Sequence, residues 1–213
     1  MIKKIQHNPT EVVSNALIVA YNHFNQELFG DKLHSCLVHL HRKAKSYGYF
    51  AGDRFGNAEG TVKVDEIALN PSHFKERSPE EVLSTLVHEM VHLWQHKYGK
   101  VRKAGYHDKE WAGMMKDVGL HPSSTGKPGG KETGQRVSHY IIEGGDYATS
   151  VATLLATGYQ LPYVELWNTD KKVAARKAAS KTKYQCPSCH ANAWAKPDTA
   201  LVCGECREDM EIA

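Results

Sequence analysis

The stretch Thr85 to Gly99, TLVHEMVHLWQHKYG, places His88, His92 and His96 at four-residue spacing with Glu89 directly after the first histidine. On a helix, residues four apart lie one turn apart on one face, about 6 Å along the axis. Two imidazoles so placed can close on one zinc ion at roughly 2.0–2.1 Å each. Glu89 sits one position round the helix, close enough to take a proton from a water on that metal without itself being forced to ligate. This is the HExxH arrangement, with the glutamate as general base. His96 fails as a further ligand to the same ion, because two helical turns carry it about 12 Å from His88; it reads as a surface or edge histidine. A third ligand has to come from another segment, and His107 in AGYHDKEW, after a loop and at the start of a further helix, is the residue in place to supply it.

A second constellation lies near the C-terminus. Cys186 and Cys189 form one CxxC pair, Cys203 and Cys206 another, with 13 residues between them. Each pair turns two thiolates toward one point, and two pairs close a tetrahedron with no open position. That is the pattern of a zinc ribbon, structural rather than catalytic. The sequence therefore calls for two zinc ions, one catalytic and one structural. Cys36, the remaining cysteine, reads as a small hydrophobe packed in a strand.

The elements that must position these residues are legible in outline. Val13, Leu17, Ala20, Tyr21, Phe24 and Leu28 recur at three- and four-residue steps and predict a helix over 10–29, stopped by Gly30. Residues 36–41, 47–54 and 61–69 read as strands of a small antiparallel sheet. Ser78 as N-cap, Pro79 at the first helical position and Glu81 three after the cap open the HExxH helix, which Gly99 ends. Leu83, Leu86, Val87, Met90, Val91 and Leu93 surround the two histidines and Glu89 with apolar surface. Burying such groups without a metal or partners is costly. A further helix is predicted over 107–118, a glycine-rich loop over 123–135, a strand in RVSHYII, and a short helix in DYATSVATLLATG capped by Asp146 and ended by Gly158. The order gives an α+β fold, zincin-like in its HExxH helix, with a zinc ribbon appended.

At 213 residues the chain can bury a core without disulfides, and its net charge of +3 excludes nothing by itself. No run of about 18 apolar residues predicts a membrane span, and MIKKIQHNPTEVV has no apolar stretch of the length an export signal requires. Metal-spaced thiols without an export signal fit a reducing interior, so the expected location is the cytoplasm.

LVHEMVHLWQHKYG followed by GYHDKEWAGMMKDVGL resembles the SprT-like domain: HExxH, a variable loop, then a third histidine shortly before an aromatic residue and a methionine-bearing helix. YNHFNQELFGDKL and the hairpin ending in IALNP are similar to its N-terminal helix and sheet, so the resemblance covers 10–120. A C-terminal zinc ribbon is also usual in bacterial members. The resemblance implies zinc ligands at His88, His92 and His107, a base at Glu89, the family's aromatic residue at Trp111 and its methionine at Met114 or Met115. Asp108 stands where glycine commonly follows the third histidine, and Tyr106 where glycine or proline often precedes it; these departures bear on the loop and substrate preference.

Members of the family are zinc metalloproteases, and its best-understood branch cleaves proteins attached to DNA. The resemblance thus implies a zinc-dependent endopeptidase acting on proteins bound or crosslinked to DNA. The alternative is a nucleic-acid-binding zinc protein with a non-proteolytic HExxH site, against which the retention of Glu89 argues. His139 and Tyr140, in the strand-like SHYII, are candidate oxyanion donors. Basic residues fall in two segments: Lys97, Lys100, Arg102 and Lys103 between the histidines, and Lys171, Lys172, Arg176, Lys177, Lys181 and Lys183 ahead of the ribbon. Both can meet phosphates, with Trp194 as a stacking surface. The expected organisation is a protease domain over 1–122, an extension completing or flanking it over 123–170, a basic linker over 171–183 and the ribbon over 184–213; the oligomeric state is not legible.

Overall fold

The structure, a computed structural model, describes residues 8–100, 105–166 and 181–213. The chain divides into two compact units, Met1–Glu165 and Leu166–Ala213.

Helix α1 (Pro9–Phe29) begins at Asn8, whose side chain accepts from the Thr10 N–H, and ends at Gly30 in the left-handed conformation, φ 60°. Leu17, Ala20, Tyr21 and Phe24 form its buried stripe. Strands β1 (Leu37–Leu40), β2 (Gly48–Gly56) and β3 (Lys63–Leu69) follow, in the spatial order β1-β3-β2. β2 and β3 form an antiparallel hairpin, with a bulge between Ala51 and Phe55 that carries Asp53 at φ 52°. β1, however, pairs with β3 in parallel, Leu37 opposite Glu66 and Leu40 opposite Leu69. The sheet is therefore mixed rather than antiparallel throughout. Alternation of apolar residues reports which face is buried and not which way a neighbour runs, and the segment joining β1 to β2 carries the chain across to the far side of β3.

Helix α2 (Pro79–Tyr98) is the centre of the unit. Its capping box is complete: the Ser78 hydroxyl accepts from the Glu81 N–H, and the Glu81 carboxylate accepts from the Ser78 N–H. Val82, Leu83, Leu86, Val87, Met90, Val91 and Leu93 are all within 2% of full burial. They meet α1, the sheet, and the helices α3 (Lys109–Asp117) and α4 (Asp146–Ala156) in one core. Helix α3 starts later than its sequence pattern predicts, because Asp108 caps it by accepting from the Trp111 N–H at 3.0 Å. Helix α4 likewise differs: Gly145 is its N-cap, without a side-chain cap bond, and Asp146 is its first residue.

Residues 123–165 are built into the first unit. Strand β4 (Leu120–Ser123) pairs antiparallel with β5 (Ser138–Ile141), and α4 is tied to α2 by the Tyr147 hydroxyl donating to the Glu80 carbonyl at 2.5 Å. The second unit holds β6 (Thr182–Gln185), β7 (Asn192–Ala195) and β8 (Glu211–Ile212) in the order β7-β6-β8. Among the described residues no helix is long and apolar enough to cross a membrane.

Candidate active site

His88 and His92 project from the same face of α2, and His107 arrives from the loop before α3. The ring centroids are 5.2 Å apart for His88 and His92, 5.4 Å for His88 and His107, and 4.8 Å for His92 and His107. One nitrogen of each ring lies within 4.8 Å of the others. His107 is held there by the glycine-rich loop: it exchanges two backbone bonds with Gly134, and its Nδ1 lies 3.1 Å from the Gly134 carbonyl. Gly134 itself stands at φ 139°, a backbone conformation that favours glycine. Trp111, fully buried, lies against all three imidazoles, with ring centroids 4.3 Å from His107 and 5.2 Å from His92.

These imidazoles fit a metal on the chemistry of the donor set. Burial, and then the neighbouring rings His139, His92 and His107, push His88 well below the usual histidine range. Burial and His107 bring His92 down to about 3. Burial also lowers His107. Desolvation thus keeps the rings neutral, with lone pairs to give. The Nδ1 atoms of His88 and His107 already have protein partners, which leaves Nε2 of each for a ligand.

Glu89 is 5% exposed, and burial pushes its carboxyl up to about 8, against the pull of the Lys43 charge and the Phe50 backbone N–H. Burial thus favours the protonated carboxyl, and a cation held by the neighbouring histidines would draw the group back toward the carboxylate that can accept a proton. The Phe50 contact comes from edge strand β2, which reaches the carboxylate only because residue 48 is glycine. A Cβ at Gly48 would lie 2.8 Å from Thr85 Cγ2, 2.9 Å from the Ala68 carbonyl and 3.3 Å from Glu89 Oε1. Gly48→Ala is expected to lift β2 from α2, costing about 1–3 kcal/mol of stability and up to about 10²-fold in any activity that depends on Glu89 placement. Thermal melts beside turnover measurements check this: a rate unchanged within about twofold would show that β2 does not set the position of Glu89.

The three histidines and Glu89 line an open cleft of about 500 Å³, with Lys43, Tyr47 and Arg136 among its other walls. His139 lines it too, but both its ring nitrogens are engaged, with His88 at 3.0 Å and with the Ser84 hydroxyl at 2.8 Å. Strand alternation sends Tyr140 to the other face, where it stacks on His121 at 4.8 Å. Both nitrogens of His139 thus have partners, and Tyr140 is not among the residues lining the cleft. Ser84 joins this network from one turn before His88 on α2, and that spacing is its signal in the sequence.

His96 stands apart from the three-histidine group. Its ring packs on β2 at Gly52, where a Cβ would come within 2.7 Å, and Nε2 lies 3.7 Å from Asp65 Oδ1. Asp53, Asp65 and His96 do form a further group of potential ligands, yet its carboxylates have partners. Asp65 accepts from the Asp53 N–H at 2.6 Å and meets His34 at 2.7 Å, while Asp53 faces Lys63 at 3.5 Å.

In the second unit the sulfurs of Cys186, Cys189, Cys203 and Cys206 lie within 4.8 Å of one another, none in a disulfide. The two CxxC turns are built alike. His190 N–H donates to the Cys186 carbonyl at 3.0 Å and Arg207 N–H to the Cys203 carbonyl at 2.9 Å, with φ 59° at His190 and 60° at Arg207. Backbone N–H groups of Cys206 and Glu205 lower the Cys203 thiol to about 7, toward the thiolate a metal requires. The group fits a closed structural zinc site.

Of the basic residues, Lys97, Lys100 and Lys181 are exposed and Lys183 is half-buried in β6, opposite Trp194 of β7. Arg102, Lys103, Lys171, Lys172, Arg176 and Lys177 lie outside the described residues.

An α+β unit whose central helix brings two histidines and a buried glutamate to a third histidine defines a metalloprotease-like class of protein. The chain belongs to the SprT-like family, whose model matches residues 18–129. It is also similar to a Salmonella typhimurium protein described as an uncharacterized protein in the mucB 3' region, 41% identical over 59 residues that span 28% of this chain and 80% of that protein.

Proposed function

We propose that the chain is a zinc-dependent endopeptidase of the cytoplasm that cleaves proteins bound or crosslinked to DNA. His88, His92 and His107 hold the catalytic zinc, and Cys186, Cys189, Cys203 and Cys206 hold a structural one. The observation that carries the reading is Glu89: a buried carboxyl group set beside three neutral imidazoles in an open cleft, where a purely structural metal site would need no base. When bound, the metal would polarise a scissile carbonyl and acidify a water beside it. Glu89 takes the proton from that water and passes it to the leaving amine. Edge strand β2, whose residues 48–50 line the cleft, offers backbone donors and acceptors to an extended polypeptide, which supports protein rather than small-molecule substrates.

The DNA part of the reading is supported by the resemblance to the family's best-understood branch and by the basic segments. Cleavage of a DNA-bound protein, with and without single-stranded or duplex DNA and with the zinc chelated and restored, tests the whole. Cleavage indifferent to both zinc and DNA would overturn it. For the linker, each lost phosphate contact is expected to reduce the salt slope of log K by about 0.7–0.9. Replacing Lys171, Lys172, Arg176 and Lys177 with glutamine should flatten it by at most a few units while sparing hydrolysis of a small peptide. A slope unchanged in this variant would move DNA contact to Lys97, Lys100, Arg102 and Lys103.

A further inference from the structure

A chain of hydrogen bonds leads away from His88 and is not used by the proposed chemistry. His88 Nδ1 lies 3.0 Å from His139 Nδ1, His139 Nε2 lies 2.8 Å from Ser84 Oγ, and Ser84 Oγ lies 2.9 Å from the Glu81 carbonyl. Ser84 and His88 are one turn apart on α2, so the His139 ring, delivered by β5, spans that turn between them. We propose that His139 is a positioning residue that fixes both the tautomer and the orientation of His88 for metal binding, an inference that rests on the three-histidine zinc reading.

The polarity of the chain can be worked out from its end. A helix carbonyl only accepts, so Ser84 donates to Glu81 and must accept from His139. His139 therefore carries its proton on Nε2. As a neutral ring it then has a bare Nδ1, and the contact between the two Nδ1 atoms needs one proton, which must sit on His88. With Nδ1 of His88 protonated, its lone pair is on Nε2. The bonding pattern thus selects the tautomer a ligand needs before any metal arrives, and it does so with parts that are themselves fixed. Ser84 is 2% exposed on a helix whose capping box sets its register, and His139 is locked in the β4–β5 pair opposite Pro122. Ligating histidines generally donate their second N–H to a carboxylate, a carbonyl or water. Here an imidazole takes that place, itself anchored by a hydroxyl.

The test uses the full chain and reads metal rather than turnover. Zinc affinity of the three-histidine site, and the visible spectrum of its cobalt form, are compared for the native chain, His139→Phe, His139→Asn, Ser84→Ala and His92→Ala. His139→Phe should weaken zinc binding by about 10–100-fold and alter the cobalt spectrum. His139→Asn, whose amide oxygen can still accept from His88, should recover part of the loss, and Ser84→Ala should shift affinity in the same direction by less. Long-range proton–nitrogen spectra of the native zinc-loaded chain should show His88 protonated on Nδ1 and His139 on Nε2. Native-like affinity and spectrum in His139→Phe, or the opposite tautomers in the native chain, would overturn the inference. A native chain that binds no zinc sensitive to His92→Ala would overturn the zinc reading and this inference together, and so tells the two failures apart.

Discussion

Replacing Glu89 with glutamine is expected to lower cleavage by about 10²–10⁴-fold, the range a general base contributes, while leaving both metal ions and the fold in place. The amide is nearly the same shape as the carboxyl, and its carbonyl oxygen can keep the bond that Phe50 N–H makes to Glu89. What it loses is the capacity to accept a proton and hand it on. The surroundings make the substitution mild for folding, because Glu89 is buried deeply enough that its carboxyl is already pushed up to about 8. A neutral side chain suits that environment at least as well as a charged one. Rate, metal content and melting temperature measured on the same preparation separate the roles. Activity within about tenfold of native would remove Glu89 as the base, and loss of metal with the rate would make it a structural residue. A non-proteolytic HExxH protein, by contrast, would show no cleavage for the substitution to remove.

The parts of this site that were legible in the sequence are those whose geometry is local. Ser78, Pro79 and Glu81 announce the start of α2, and once the helix is granted, the one-turn spacing of His88 and His92 follows from its pitch. The same pitch separates His96 from His88, and in the structure that ring lies on β2 beside Asp65. What could not be read is set by contacts distant in sequence. The bond between His88 and His139 joins residues 51 apart, so nothing in SHYII distinguishes a histidine that faces the cleft free from one with both nitrogens taken. Tyr140 shows the companion problem: alternation says that neighbours in a strand face opposite ways, but not which of the two faces the site. β1 shows it at the level of the sheet, since its apolar pattern is compatible with either direction of pairing. Asp108 is the reverse case. It departs from the family pattern after the third histidine, and its side chain caps α3 and accepts from Gln95 of α2 at 2.8 Å, so the residue that looked like a disturbance of the loop ties the two helices together.

His107→Ala and His96→Ala, two histidine deletions on either side of one loop, should have opposite consequences. On the proposed zinc reading, removing His107 takes away the ligand that comes from outside α2, and two histidines on a single helix leave a poorly closed, weak site. Affinity there should fall by more than the roughly 10–100-fold that loss of an outer partner costs, so that the purified chain retains zinc only in the four-cysteine site, and cleavage should drop to background. The backbone bonds between His107 and Gly134 do not involve the imidazole, so the loop can keep its path and the loss is one of coordination rather than of folding. Removing His96 should leave the metal content unchanged, because its ring serves the packing of β2 and the Asp65 network. Chelation adds a check that needs no mutation: the open three-histidine site should give up its zinc before the closed four-cysteine site, and activity should fall and return with that first ion. Two zinc ions retained in His107→Ala together with one in His96→Ala would reverse the assignment and place the third ligand on α2, against the pitch of the helix.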